Sequence, residues 1–169
     1  MKKTFFIITI TLFSLNSFFA QTNKTAIPNS EAQNIFSKTY NYVNDFEKIL
    51  APNQIEALKN TLKSYETSSG HKIIVVTTSS IQPYTSIPEY SLGLNTYLAN
   101  QLKLNTAVLV ILSKGLRQIQ VQGSEQISNK LNYDEIKSII SSTAIPEFKK
   151  GDYHKGLEET VNQIIKKLK

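Results

Sequence analysis

The sequence contains no cysteine. This absence excludes disulfide bonds, thiol nucleophiles, metal sites built on thiolates and lipid attachment to an N-terminal cysteine. Histidine is also scarce: His71 and His154 are the only two, and their separation is not the spacing of a metal-binding pair. We therefore predict that both histidines are surface or packing residues.

Motifs for phosphate binding and for nucleophilic catalysis are missing as well. The six glycines are scattered, so no glycine-rich loop that would cradle a phosphate is present. Gly123-Ser124 is followed by Glu125-Gln126, which does not match the G-x-S-x-G elbow of serine hydrolases. There is neither an arginine-rich stripe nor an interleaved aromatic platform, and the formal net charge is a modest +6. Nucleic acid is therefore not a predicted partner.

The N-terminal residues have the pattern of a secretory leader. Lys2 and Lys3 precede an apolar stretch over residues 5–15, and cleavage is expected between Ala20 and Gln21. A membrane anchor is the alternative, but it needs roughly 20 uninterrupted apolar residues, and threonines and serine interrupt this stretch. We predict a signal peptide over 1–20 and a secreted or periplasmic protein, with no stable membrane span after cleavage. Removal of the leader lowers the formal charge by two, to +4.

The rest of the chain has the length of one domain. Residues 21–41 are polar and are predicted to be a linker or an extended N-terminal segment. The packed domain is expected over residues 42–169.

The stretch from residue 105 to residue 123 is predicted to be the centre of the fold. Residues 107–112, AVLVIL, are apolar without interruption, as in a central strand covered on both faces. Residues 117–122, RQIQVQ, alternate, which predicts a strand with one face toward the core and one wetter face, nearer a sheet edge. A tight turn at 113–115 between them predicts an antiparallel hairpin.

Helices are predicted both before and after this hairpin along the chain. The first covers residues 52–68 and is followed by a β-branched strand at 71–77. Caps and breakers that delimit the helices are Pro52, Gly70, the pairs Ser86/Glu89 and Asn132/Glu135, Pro146 as a stop or kink, and Asp152. The order α-β-α-β-β-α-α predicts an α/β fold, a three-layer α/β/α sandwich with helices on both faces of a small mixed sheet.

The residues available for chemistry are few. Carboxylates at the ends of elements, where sites tend to form, are Asp45, Glu47, Glu125, Asp134 and Asp152. Asp152 is predicted to cap a helix rather than to bind a ligand. Arg117 is either an anion-binding group or, the favoured interpretation, a solvated arginine at the sheet edge.

Four motifs in order resemble the TPM domain family. They are V-N-D-F followed by I-L-A-P at 43–52, S-G-H-K-I-I-V-V at 69–76, S-I-P-E-Y at 86–90, and I-P-E-F-K-K-G-D-Y-H-K-G-L at 145–157. The last is similar to the family pattern I-x-P-x-F-x-x-G-D-Y-x-x-G-L. The resemblance spans about residues 42–168 and implies an α/β/α sandwich. It also implies acid phosphatase activity or binding of a divalent cation such as Ca²⁺ or Mg²⁺ through acidic loops.

The chain departs from the family where that chemistry is expected. An acidic D-D-G or D-x-G normally precedes the long apolar strand, but this chain has Asn105-Thr106-Ala107. The next strand normally ends in G-Y-G, but here it ends in Gln122-Gly123-Ser124. A calcium ion needs several oxygen ligands converging on one point, and the expected acidic pair is absent.

Two hypotheses of different classes follow. The favoured one is a non-catalytic envelope module that needs no cofactor and binds another envelope protein. The alternative is a metal-dependent, phosphatase-like hydrolase in which Asp45, Glu125 and Asp152 converge and Arg117 holds the phosphate. In that case Asp45 and Glu125 are the candidate metal ligands.

Overall fold

The computed structural model describes residues 6–11 and 35–169, and its centre is a mixed sheet. Its strands are β1 (Phe6–Thr11), β2 (Val43–Asp45), β3 (Lys72–Thr77), β4 (Thr106–Ser113) and β5 (Gln118–Gly123). They lie in the order β1-β5-β4-β3-β2. β2, β3 and β4 are parallel, whereas β5 runs antiparallel to both β4 and β1. The predicted hairpin is therefore present as β4 and β5.

Helices cover both faces of this sheet. They are α1 (Pro52–Ser69), α2 (Ile87–Asn100), α3 (Tyr133–Ile139), α4 (Ile145–Lys149) and α5 (Tyr153–Leu168). A short 3₁₀ turn, Glu125–Ile127, follows β5. α2 packs on one face, and α1, α3, α4 and α5 pack on the other. The α/β fold and its three layers are confirmed.

The helix ends are where local sequence predicted them. In α1, proline lies in the first turn and Gly70 ends the helix with a φ of 73°, a left-handed conformation that glycine adopts without strain. Three other helices begin with an N-cap residue whose side-chain oxygen accepts a hydrogen bond from the backbone N–H three residues later. The pairs are Ser86 with Glu89, Asn132 with Glu135, and Asp152 with Lys155. Asp152 is thus a helix cap, as expected.

Adjacent residues of the central strands point to opposite helix layers. In β3, Ile73 and Val75 face α1 and α5, whereas Ile74 and Val76 face α2. In β4, every residue after Thr106 is buried. The apolar run therefore forms a strand covered on both faces, because each of its two side-chain rows needs its own helix layer.

The wetter face predicted for β5 is wrong. Gln120 and Gln122, which alternate with the core residues Ile119 and Val121, are themselves buried. α2 lies over that face, and Ser91 Oγ donates a 2.5 Å hydrogen bond to Gln122 Oε1. A buried amide needs such a partner, and this partner lies 31 residues away in sequence.

The helix does not stop at Pro146, which was predicted to stop or kink it. α3 continues through a π-helical turn, Ile140–Ala144, directly into α4, with Pro146 in the first turn of α4. Proline lacks an N–H donor, so it fits best where the preceding turn does not require one. The π-helical turn thus joins α3 and α4 into one continuous helical segment.

Part of the segment predicted as a linker packs onto the α2 side. Phe36 is 1% exposed, and its ring lies 5.2 Å from that of Tyr90 and 5.8 Å from those of Tyr84 and Tyr97. Tyr40 is also buried, and burial raises the pKa of its phenol. Residues 21–34 lie outside the described residues, as does the predicted leader apart from β1.

Among the helices of residues 35–169, none has both the length and the apolar composition needed to cross a membrane.

Candidate functional site

The candidate site lies where the parallel strands β2, β3 and β4 end. Asp45 is the last residue of β2, and it is paired with Thr77, the last residue of β3. Thr77 is in turn paired with Leu112, just before the hairpin turn. In open α/β sheets, ligands bind beyond the carboxyl ends of the strands. Two of the acidic residues considered from sequence, Asp45 and Glu47, are found at this end.

The Asp45 carboxylate organises the loop after β2. Its Oδ1 accepts from the N–H of Ile49 at 3.2 Å, and its Oδ2 accepts from the N–H of Leu50 at 2.8 Å. Thr77 Oγ1 donates a third hydrogen bond to Oδ1 at 2.5 Å. The carboxylate therefore fixes the approach to α1 and joins it to the end of β3.

Glu47 binds the hairpin turn in the same manner. Its Oε2 accepts from the N–H of Lys114 at 2.8 Å, and its Oε1 accepts from the N–H of Gly115 at 2.9 Å. Its own N–H donates to Thr77 Oγ1 at 3.1 Å. Thr77 thus accepts from Glu47 and donates to Asp45, so one hydroxyl connects the two acidic residues.

Arg117 and Asp152 lie at this end of the sheet too. Arg117 is the last residue of the turn between β4 and β5, is exposed, and has a φ of 54°. It is not yet in β5, although the alternating pattern predicted a strand from this residue. Asp152 precedes Tyr153, whose ring lies 5.2 Å from Lys114 Nζ. Asp152 uses Oδ1 to accept from Lys155 N at 2.9 Å.

Glu125 lies at the opposite end of the sheet. It follows Gly123, which is paired with Val108 near the start of β4. Asp45 lies level with Leu112 of β4, through its partner Thr77. The strand spacings then separate the two carboxylates by roughly 13 Å in the strand direction and roughly 14 Å in the perpendicular direction, from β2 to β5. Ligands of one calcium ion each lie at about 2.3–2.6 Å from it. The structure therefore does not bring Asp45 and Glu125 together.

The residues at the candidate site do not fit a divalent cation. Within residues 6–11 and 35–169, no three acidic or histidine side chains are grouped so that they would hold a metal ion. The oxygens of Asp45 and Glu47 instead accept hydrogen bonds from backbone N–H groups and a hydroxyl. At the other end, residues 105–107 are Asn-Thr-Ala and supply no carboxylate.

A second charged cluster was not singled out from sequence. The Glu147 side chain is only 9% exposed, and its two oxygens lie 2.7 Å from Lys150 Nζ and 3.5 Å from Lys155 Nζ. The hydrogen bond from Lys150 lowers the pKa of the Glu147 carboxyl. The sequence feature that could have indicated this cluster is the position of Glu147 in the 145–157 motif, directly after a proline and close to two lysines.

Comparison with known proteins assigns the chain to a family. The sequence profile of the TPM domain matches residues 43–167, most of the chain. The chain belongs to the TPM domain family. That profile begins at β2 and ends within α5, so it covers the sheet end that holds Asp45 and Glu47 as well as the Glu147 cluster. A comparison with curated proteins finds no match.

Solved structures agree with this TPM fold. The N-terminal domain of a protein from P. gingivalis is 24% identical with a TM-score of 0.68, and the match covers 84% of this chain and 88% of that one. The N-terminal domain of cg2496 from Corynebacterium glutamicum is 12% identical, with a TM-score of 0.56 and coverage of 91% and 88%. The BA42 protein from Bizionia argentinensis is 13% identical, with a TM-score of 0.58 and coverage of 73% and 83%. At these identities the likeness concerns the fold alone.

Proposed function

We propose that this TPM domain is exported and acts as a non-catalytic accessory module that binds another protein of the cell envelope. Export is supported by the leader pattern of residues 1–20, with two lysines before an apolar stretch. Action without catalysis is supported by how the acidic side chains at the sheet end are used.

The observation that carries the proposal is the set of donors on Asp45. Two backbone N–H groups and the Thr77 hydroxyl already bind this carboxylate. A catalytic or metal-bound carboxylate must direct its oxygens toward substrate or ion. Here they are directed into the protein's own loop, so the role of Asp45 is to hold the structure together.

The distribution of the other candidates supports the same proposal. Glu125 is at the far end of the sheet from Asp45, and Asp152 caps α5. Residues 105–107, Asn-Thr-Ala, carry no carboxylate where the resemblance to the family implies an acidic loop. Within residues 6–11 and 35–169 no three acidic or histidine side chains gather around one point, an arrangement that favours binding of a partner over metal-dependent hydrolysis.

The first test is a phosphatase assay on protein recovered from outside the cytoplasm of cells that express the full chain. Hydrolysis of an aryl phosphate is measured with Ca²⁺, with Mg²⁺ and with a chelator, and we expect no turnover above the buffer blank. We also expect no rise in the melting temperature with either cation, because a ligand that binds the folded state must stabilise it.

Matched variants show which residues any activity would need. Asp45→Asn keeps the shape of the side chain and removes its charge, and Arg117→Asn suits the left-handed backbone at that position. Cation-dependent turnover that is lost in both folded variants would establish the phosphatase-like alternative instead. Mass spectrometry of the recovered protein tests export separately, since removal of residues 1–20 is expected.

A further inference from the structure

One edge of the sheet is covered by a strand from the predicted leader. β1 pairs antiparallel with β5 over six residues, from Phe6 opposite Gly123 to Thr11 opposite Gln118. The remaining strands place β5 outermost on that side. Removal of the leader therefore leaves the whole length of β5 as an open edge.

The hydrogen-bonding groups of that edge follow from the register. Leu112 O accepts from Thr78 N on the β3 side, so the backbone polar groups of Leu112 point away from its β5 partner, Ile119. Along an antiparallel pair of strands, residue pairs that are hydrogen-bonded to each other alternate with pairs whose backbone groups point away from each other. The N–H and C=O groups of Ile119, Val121 and Gly123 therefore face outward, toward β1. The bond from Ser124 N to Ala107 O, one residue beyond the strand, agrees with this alternation.

The β5 edge lacks the features that normally prevent strand pairing. Natural edge strands are short, or carry proline, charge or a bulge. β2, the opposite edge, is only three residues long. β5 is six residues long, and its sequence QIQVQG contains no charged residue and no proline. Its pairing with β1 shows no register shift.

We propose that the β5 edge, once freed of the leader, accepts an extended apolar segment of a partner protein as an added antiparallel strand. This inference rests on the proposed function, in which the leader is removed and the domain binds an envelope protein. Strand addition of this kind draws affinity from main-chain hydrogen bonds.

The strand that the structure places on this edge indicates the chemistry of the partner segment. Residues 6–11 read FIITIT, in which three isoleucines and two threonines are β-branched, the side-chain type that favours extended conformation. The occupant is thus an uncharged, β-branched segment of about six residues, matched to the length of β5.

The test uses the secreted product of the full chain and a peptide with the sequence of residues 6–11 flanked by lysines for solubility. From the register, the N–H groups of Ile8 and Ile10 face β5, since their partners are Val121 and Ile119. A peptide N-methylated at these two positions cannot donate to the edge. The matched control is N-methylated at Ile7 and Thr9, whose N–H groups face away.

We expect the unmodified peptide and the Ile7/Thr9-methylated control to bind, and the Ile8/Ile10-methylated peptide to lose binding, as followed by fluorescence anisotropy. Amide exchange gives a second readout. In the leader-free protein, the amides of Ile119 and Val121 should exchange fast and become protected on peptide binding, whereas that of Gln120, bonded to β4, stays protected throughout.

Equal binding of both methylated peptides, or no binding of any peptide, would overturn the strand-acceptor inference. So would a dimer in sedimentation with Ile119 and Val121 already protected, since a second copy would then hold the edge. In each of these cases the envelope-module proposal still stands. If mass spectrometry of the secreted protein shows that residues 6–11 are retained, the leader is not removed. That result would contradict export with cleavage and would overturn the strand-acceptor inference as well, independently of the peptide experiment.

Discussion

Thr77 Oγ1 donates a 2.5 Å hydrogen bond to Asp45 Oδ1 across 32 residues of sequence. The same hydroxyl accepts from the N–H of Glu47. The ends of two parallel strands and the loop that leads into α1 are thus joined through one side chain. This arrangement makes Asp45 a structural residue, and its contribution to stability is measurable.

Replacing Asp45 with alanine should lower the free energy of unfolding by about 3 kcal/mol, because several donors lose a charged acceptor. Thr77→Val, which keeps the side-chain shape, should cost about 1–2 kcal/mol. Because the residues are in contact, the double variant should cost less than the sum of the two by about 1 kcal/mol. Urea unfolding of the four proteins measures this coupling. Strictly additive effects would contradict the contact.

Glu147 should make the stability depend on pH in the acidic range. The hydrogen bond and the charge of Lys150 hold the pKa of the Glu147 carboxyl below its ordinary value of 4.5. The unfolded chain then binds the proton more readily, so this contribution is fully present above about pH 4.5 and is lost as pH falls through the lower, folded pKa. Lys150 has the opposite sign: its pKa is raised, so its contribution is lost only as pH rises through the folded value.

The measurement is the urea midpoint of the wild type and of Glu147→Gln at pH 7, 5 and 3. We expect a clear difference between the two proteins at pH 7 that shrinks at pH 3. Glu56→Gln is the control, since Glu56 forms an exposed pair with Lys59, and such pairs contribute little. A constant difference at all three pH values would show that the charge of Glu147 is not involved.

Gly156 in α5 should not tolerate alanine. A Cβ there would lie 2.6 Å from Phe148 Cδ1 and 3.2 Å from the carbonyl oxygen of Ala144. The gain in helix propensity, about 1 kcal/mol, is outweighed by an overpacking cost of about 1–3 kcal/mol. We expect Gly156→Ala to be destabilised in urea unfolding and to be partly rescued by Phe148→Leu.

Gly93→Ala in α2 is the matched comparison. Its Cβ would meet the hydroxyl end and one ring edge of Tyr84, a partly exposed side chain that can shift only by giving up part of its contact with Phe36. This variant should lose less stability than Gly156→Ala, because no backbone atom blocks the new methyl group. If both alanine variants lose the same stability, the contact with Phe148 is not what requires glycine at position 156.

Phe36 tests whether the segment before β2 belongs to the domain. Its ring is nearly inaccessible and packs against three tyrosines. Phe36→Ala should therefore cost about 3–5 kcal/mol, whereas Thr39→Ala, at an exposed position in the same segment, should change little. Thermal unfolding of both variants measures the difference. An unaffected Phe36→Ala protein would mean that the segment is a linker throughout.

The features that were predictable from sequence are those fixed by local chemistry. The apolar run at 107–112 requires cover on both sides, and the caps Ser86, Asn132 and Asp152 act within one turn of their helices. β2 is three residues long and has no periodicity to detect. The burial of Gln122 depends on Ser91, which belongs to another element.

The convergence of acidic residues depends on strand direction rather than on sequence spacing. Asp45 ends a strand parallel to β4, whereas Glu125 follows β5, which runs the other way. A hairpin necessarily places the end of its second strand beside the start of its first. The predicted hairpin therefore implied that Glu125 lies beside the start of β4, but the position of Asp45 depends on β2, which was not predicted. The role of Glu47 was not accessible in this way, because its partners Lys114 and Gly115 lie 67 and 68 residues further on.

The contrast between the two edges of the sheet has a consequence for the stoichiometry of the proposed strand addition. β2 is too short to template a further ladder, so growth is blocked on that side. In the proposed complex, β5 has one free side, so each domain binds one partner segment along it. We therefore expect a saturating stoichiometry of one partner segment per domain, which isothermal titration with the residue 6–11 peptide measures.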